Sequence, residues 1–297
     1  MSLWGHLLRY LLLPGFLAAL LVGGLSRGIA AWLGARISGR PASPPWQPLE
    51  EIVRLAGKAP PRPGRPQALA SWPALLALVA LCWGLGMLPW PHWLLATDLP
   101  ANLVLYLLLL TVPALARLAA AGLSASVPAA IGGRRQAPVE IARLLPVLLA
   151  GGALPLVSGQ FTLAPTAASG PWGTIVGLAA AGILLVTLPW PLWDHDAHDA
   201  PLASLGGRTL ALYRTVEALE LAAQTGLVGV ALRTSGLFPS AQEGWPLLVA
   251  VVAVLVALVV FENRGHRPLL PESAYLYTRW LLPAAVVVAV IAWWFGP

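Results

Sequence analysis

Leu7-Leu8-Arg9-Tyr10-Leu11-Leu12-Leu13-Pro14-Gly15-Phe16-Leu17-Ala18-Ala19-Leu20-Leu21-Val22-Gly23-Gly24-Leu25 runs directly into Ser26-Arg27-Gly28-Ile29-Ala30-Ala31-Trp32-Leu33-Gly34-Ala35-Arg36-Ile37-Ser38-Gly39-Arg40. The first part is an apolar run long enough to cross a bilayer, which takes about 20 residues. The second part carries Arg27, Arg36 and Arg40. Basic residues beside a span stay on the cytoplasmic side, so this one stretch sets both a crossing and its direction. The run leads into a basic loop and not a small-residue cleavage site, so it reads as a retained span.

The same alternation continues along the chain. Further apolar stretches lie at Ser71–Leu94, Leu99–Gly122, Val139–Leu163, Trp172–Trp193, Val216–Phe238, Trp245–Phe261 and Tyr275–Phe295. With the N-terminus outside, the inner segments are Ser26–Ala70, Leu123–Pro138, Asp194–Thr215 and Glu262–Ala274. These segments and the flanking helix ends hold Arg27, Arg36, Arg40, Arg54, Lys58, Arg62, Arg65, Arg117, Arg134, Arg135, Arg143, Arg208, Arg214, Arg264, Arg267 and Arg279. Arg9 and Arg233 alone fall to the outer side. The expected fold is therefore an all-α integral membrane bundle of about eight transmembrane helices, both termini outside. Residues 1–297 read as one transmembrane domain, with 26–70 as a cytoplasmic amphipathic loop.

Composition agrees: 58% of the chain is hydrophobic and 10% charged, against about a quarter charged in soluble domains. The net charge of +6 follows from topology, and no basic patch carries interleaved stacking aromatics, so nucleic acid is not an expected partner. Cys82 is the single cysteine, which excludes an intrachain disulfide and a cysteine metal cluster. Walker A, GxGxxG, GxSxG and HExxH motifs are absent from the sequence. Ten tryptophans, among them Trp72, Trp172, Trp245 and Trp293, fall near span ends, where interfacial anchors sit.

Within Ser26–Ala70, prolines 41, 44, 45 and 48 break regular structure. Pro48 suits the first turn of a short helix, Leu49–Gly57, with Glu50 and Glu51 at its start and Arg54 and Lys58 at its end, as the helix dipole favours. Leu49, Ile52, Val53 and Leu55 give it an apolar side, for the membrane interface or for a partner protein. Pro60–Pro66 reads as an extended connector. Leu88-Pro89-Trp90-Pro91 and Leu188-Pro189-Trp190-Pro191 are similar turns expected on opposite faces of the membrane, a faint sign of an inverted repeat.

Ionisable groups inside or at the edge of a bilayer are costly and therefore mark function. The ion-path candidates are Asp98, Arg117, Glu140, Arg143, Glu217 and Glu220; Arg27 and Glu262 lie at span edges. Glu140 and Arg143, at i and i+3, can pair on one helix face. Glu217 and Glu220 share a face too, and like charges so placed suit a proton relay. Asp98 also suits a helix N-cap. Asp194-His195-Asp196-Ala197-His198-Asp199 is the densest polar cluster. It reads as a solvated loop, since ligands so close in sequence need another segment to complete a metal site.

Leu13-Pro14-Gly15, Arg27, Ala35-Arg36, Gly39-Arg40-Pro41 and Gln47-Pro48-Leu49-Glu50-Glu51-Ile52-Val53-Arg54-Leu55 together resemble the first span and first inner loop of the complex I subunit 1 family. That family includes the corresponding membrane subunit of NADH-quinone oxidoreductase and the membrane anchor subunits of formate hydrogenlyase and other group 4 hydrogenases. Asp98, Leu103, Tyr106, Arg117, Gly122, Ser124, Ser126, Gly132 and Arg135 resemble its third span and the loop after it. Arg214, Glu220-Leu221-Ala222-Ala223-Gln224 and Gly236-Leu237-Phe238-Pro239 look closer to the hydrogenase branch. The chain departs from the family at Arg135-Gln136, at Leu145-Pro146 and at Asp194–Pro201, where carboxylates of the family pattern are missing.

The resemblance implies a non-catalytic membrane anchor of an oxidoreductase complex in a bacterial or archaeal cytoplasmic membrane. Soluble redox subunits would dock on the cytoplasmic face through Arg36, Arg40, Glu51, Arg54, Arg134 and Arg135, and antiporter-like membrane subunits would pack alongside. Iron–sulfur clusters, with a nickel–iron centre or a quinone, would belong to the partners, with no cofactor or metal ligand in this chain. Two other readings are an intramembrane Mg-dependent prenyltransferase, for which Asp194, Asp196 and Asp199 would form one of two Asp-rich motifs, and a stand-alone secondary transporter, which needs helices broken at the midplane, as Pro113 and Pro155 would permit.

Overall fold

The computed structural model describes residues 15–58, 65–88, 102–123, 126–163, 170–188, 202, 205–237, 245–263 and 270–296. The elements are α1 (Gly15–Ile37), α2 (Gln47–Ala56), α3 (Arg65–Met87), α4 (Leu103–Leu123), α5 (Val127–Ser158), α6 (Pro171–Val186), α7 (Gly207–Thr234), α8 (Trp245–Glu262), α9 (Leu270–Leu276) and α10 (Leu282–Phe295). Among the described residues, six helices are long and apolar enough to cross a membrane, and α6 and α8 are shorter apolar helices. The protein is a polytopic helical bundle.

The bundle has two distinct ends. At one, Tyr213 near the start of α7 donates through its hydroxyl to the carbonyls of Ala70 in α3 (2.9 Å) and Ala116 in α4 (3.2 Å). At the same end Ser38, just past α1, donates to Asn263, just past α8 (2.9 Å). At the other end the N–H of Leu103 donates to Phe161 (2.9 Å), and Trp172 stacks on Phe295 with ring centroids 4.0 Å apart. The segments read as inner thus gather at the first end. Leu88 packs on Gly226 in the outer half of α7, whereas Leu188 follows the inner end of α6. Residues 89–91 and 189–191 lie outside the described residues.

The helix α7 runs through the middle, and 94% of its most apolar window is buried. It is also the least hydropathic of the six. A soluble protein hides its most apolar helix; here lipid covers the outside, so the helix with the most polar groups goes inside. Small residues allow close approach. A Cβ on Gly23 of α1 would stand 1.8 Å from the carbonyl oxygen of Ala218 in α7, and one on Gly28 would stand 1.7 Å from that of Pro45.

Several segment limits are corrected. The segment Leu123–Pro138 is mostly helix: α5 starts at Val127 with Pro128 in its first turn, where a missing N–H costs nothing. At 32 residues, α5 is about 48 Å long against a hydrocarbon core of about 30 Å, so its first turns project past the inner boundary. In the same way α7 begins at Gly207, inside the segment read as the loop Asp194–Thr215. Arg65 and Pro66, read as connector, open α3. Pro113 and Pro155 lie inside unbroken helices, so these two prolines do not make the midplane breaks that the transporter reading needs.

Between α9 and α10 the helix widens to a π turn over Tyr277–Leu281, where the N–H of Leu282 bonds to the carbonyl of Tyr277. Pro283 explains it. Proline has no N–H to give to the carbonyl of Arg279, and its ring crowds that oxygen, so the preceding turn widens. The turn buries Tyr277 and leaves Trp280 exposed.

Candidate functional site

Four charged side chains meet in the interior: Arg117 of α4, Glu140 and Arg143 of α5, and Glu220 of α7. None is more than 1% exposed. Arg117 donates through Nη2 to Glu140 Oε1 (2.7 Å) and through Nη1 to Glu220 Oε2 (2.6 Å). Arg143 donates through Nη2 to Glu220 Oε1 (2.8 Å) and to Glu140 Oε2 (3.1 Å). Both carboxylates are therefore shared by both guanidiniums, and the set is neutral. Buried charges persist only when paired and hydrogen-bonded in this way.

Polar neighbours complete the network. Gln136 donates to Glu140 at 3.3 Å. Arg143 also donates to the carbonyls of Thr187 and the Gln224 side chain, both at 3.4 Å. Gln224 in turn donates to Leu184 O at 3.1 Å and to the Thr187 hydroxyl at 3.3 Å. Three helices supply the charges, and α6 adds backbone acceptors. The α5 pair is made as its i, i+3 spacing predicts. Glu217 and Glu220 share a face of α7, but they serve different clusters.

Glu217 belongs to a second group nearer the inner end. Arg214 donates to it at 2.9 Å, and Arg27 of α1 stands 3.7 Å away. The like-charge arrangement seen in the sequence is thus filled with guanidinium groups on both carboxylates. Between the two clusters lies a cavity of about 30 Å³, room for about two water molecules. Arg27, Glu51, Arg117, Arg214, Glu217 and Glu220 line it, with apolar walls such as Ile52 and Leu258.

The surface helix α2 forms as expected, with Pro48 in its first turn. Leu55 is buried, Ile52 and Glu51 face the cavity, and Trp46, Val53 and Arg54 are exposed. Of the six docking candidates, Arg36, Arg40, Arg54, Arg134 and Arg135 are exposed, and Glu51 is half-buried in the cavity wall. Arg36 lies over the ring of Trp32 at 5.3 Å. Lys58 and Arg208 add exposed positive charge at the same end. Asp98 and the cluster Asp194–Asp199 lie outside the described residues, as does the side chain of Glu262. Among the described residues, no group of three or more His, Cys, Asp or Glu is arranged to hold a metal ion.

The fold resembles a chain in the structure of the membrane-bound sulfane sulfur reductase, an archaeal respiratory membrane complex. The TM-score is 0.79 at 23% identity, covering 97% of this chain and 99% of that one. At this identity the likeness is one of fold. No protein-family model and no curated protein sequence matches this chain.

Sequence reasoning singled out all four members of the network and Glu217, but not Thr187, Tyr277 or the pairing of Arg214 with Glu217. Tyr277 packs with Val139 and Ala142 on the face of α5 that carries the charged pair. A signal was present in Pro283, which displaces the turn before it. Thr187 gave no signal, and Gln224 entered only as the end of the stretch Glu220–Gln224, because neutral polar residues are common in apolar helices.

Proposed function

We propose that this chain is the membrane anchor subunit of a respiratory, complex I-like or group 4 hydrogenase-like assembly. It docks a soluble redox module at its inner end and takes part in coupling electron transfer to proton or ion movement. The observation that carries this reading is the likeness, over nearly the whole chain, to a chain of a respiratory membrane complex. Two features of the fold support it. The exposed basic residues cluster at one end, which fits an acidic partner face. The interior holds a buried ion network next to a cavity that four further charged side chains of the chain's inner half help to line, Arg27, Glu51, Arg214 and Glu217, which an inert anchor would not need.

In this reading the inner end is cytoplasmic and the membrane is a bacterial or archaeal inner membrane. Iron–sulfur clusters, with a nickel–iron centre or a quinone, reside in or beside the partner subunits, and antiporter-like subunits pack against the bundle. Purifying the native complex in mild detergent and identifying its subunits tests the proposal. An iron–sulfur or hydrogenase-like large subunit in fixed stoichiometry is the expected result. A homodimer of this chain with no redox subunit would overturn it.

A further inference from the structure

We infer that Arg117 is a gate between the inner cavity and the ion network, and that it opens by exchanging its carboxylate partners. The inference rests on the coupling role proposed above. Arg117 and Glu220 are the two members of the network that line the cavity, whereas Glu140 and Arg143 lie behind them. With its forked contacts to Glu140 and Glu220 in place, the guanidinium closes the cavity's deep side.

The two arginines are held differently. Arg143 is braced by the Thr187 carbonyl and by Gln224, groups outside the four-charge set. Among the described residues, the side-chain hydrogen bonds of Arg117 go to Glu140 and Glu220 alone. Of the two arginines, Arg117 is thus the one able to leave without breaking a backbone contact. A second acceptor is at hand: Glu217 lines the same cavity, one turn before Glu220 on α7. Side chains at i and i+3 of a helix stand about 5–6 Å apart, a distance that rotation about the arginine stem covers.

Charge balance states what the exchange does. In the closed arrangement two guanidiniums face two carboxylates. When Arg117 moves to Glu217, the remaining Glu140, Glu220 and Arg143 carry one net negative charge in a buried place. One proton or one small monovalent cation from the cavity then restores neutrality, and the return of Arg117 expels it. The guanidinium and the ion occupy the site alternately, so the cavity and the deep network are never joined by an unoccupied path.

The test reads access, not transport. In a Cys82→Ala background and native membranes, the deep residue Gln224→Cys is probed from the inner side with a small cationic methanethiosulfonate. Ile52→Cys in the cavity wall serves as control. The gate predicts slow labelling at 224 and fast labelling at 52. Adding Arg117→Gln should speed labelling at 224 about tenfold or more, since reactivity follows the open fraction, and leave position 52 unchanged. The pair Arg117→Gln with Glu140→Gln, which keeps the site neutral, gives the same answer if the single variant does not fold. Equal labelling rates at 224 with and without Arg117 would sink the inference, whatever subunits co-purify.

Discussion

Arg117 and Glu220 meet at 2.6 Å across 103 positions of sequence, both about 1% exposed. No local pattern forces that contact. It exists because α4 and α7 pack side by side with α5, and because Glu140 and Arg143 supply the remaining charges. Breaking a buried ion set on one side leaves a bare charge, at a cost of about 3–5 kcal/mol.

Glu220→Gln or Arg117→Gln alone should therefore lower thermal stability in detergent and the yield of inserted protein. Arg117→Gln combined with Glu140→Gln removes one charge of each sign and should recover most of the loss. Fluorescence-detected size exclusion after a heating series measures this. If both single variants melt with the parent, the network contributes nothing to stability.

The tight glycines give a second test. Gly23→Val and Gly28→Val place a side chain where backbone oxygens already stand, at 1.8 and 1.7 Å from the added Cβ. Both should abolish stable folding. Gly122→Ala meets nothing within 4 Å and should be silent in the same assay. A stable Gly23→Val protein would mean that α1 does not seat against α7 at this depth.

Topology is open to a direct check. In the Cys82→Ala background, cysteines at Arg62 and Arg134 should react with membrane-impermeant maleimides only in inverted vesicles, because the basic segments resist translocation. Reaction in right-side-out cells would reverse the assignment of inner and outer ends.

Charge reversal separates docking from coupling. Arg54 and Arg135 are exposed, whereas Glu51 is turned into the cavity wall. Arg54→Glu with Arg135→Glu should release the soluble module, since losing a desolvated charge partner costs about 2–5 kcal/mol. Glu51→Gln should leave the complex intact and lower coupled ion movement in proteoliposomes. An intact complex with both arginines reversed would assign that face to lipid.

The fold was readable because lipid makes the rules simple: apolar runs mark the spans, and the exposed arginines gather at one end of the bundle. Helix limits were less readable. The projecting turns of α5, from Val127 to Pro138, look like a loop because Gly132, Gly133, Arg134 and Arg135 are poor membrane residues. They are helical, and Gly133 packs directly on Ala121 of α4. The charged site was legible as a set of costly residues, but its pairing was not. Glu217 and Glu220 invite a reading as coupled acids, and only packing shows that Arg214 and Arg27 serve one while Arg117 and Arg143 serve the other. The placement of Glu51 in the cavity wall was hidden for the same reason, since an amphipathic helix does not declare which charged residue sits on its buried edge.

Docking of a redox module at the inner end is the central claim, and in-cell photo-crosslinking tests it most directly. A photoreactive residue replaces Arg135, on the exposed face of α5, in cells that make the native complex. Irradiation and mass spectrometry then identify what is attached. The account predicts one dominant adduct, to a soluble subunit that carries iron–sulfur or hydrogenase-like sequence. Adducts to lipid or to a second copy of this chain alone would contradict it.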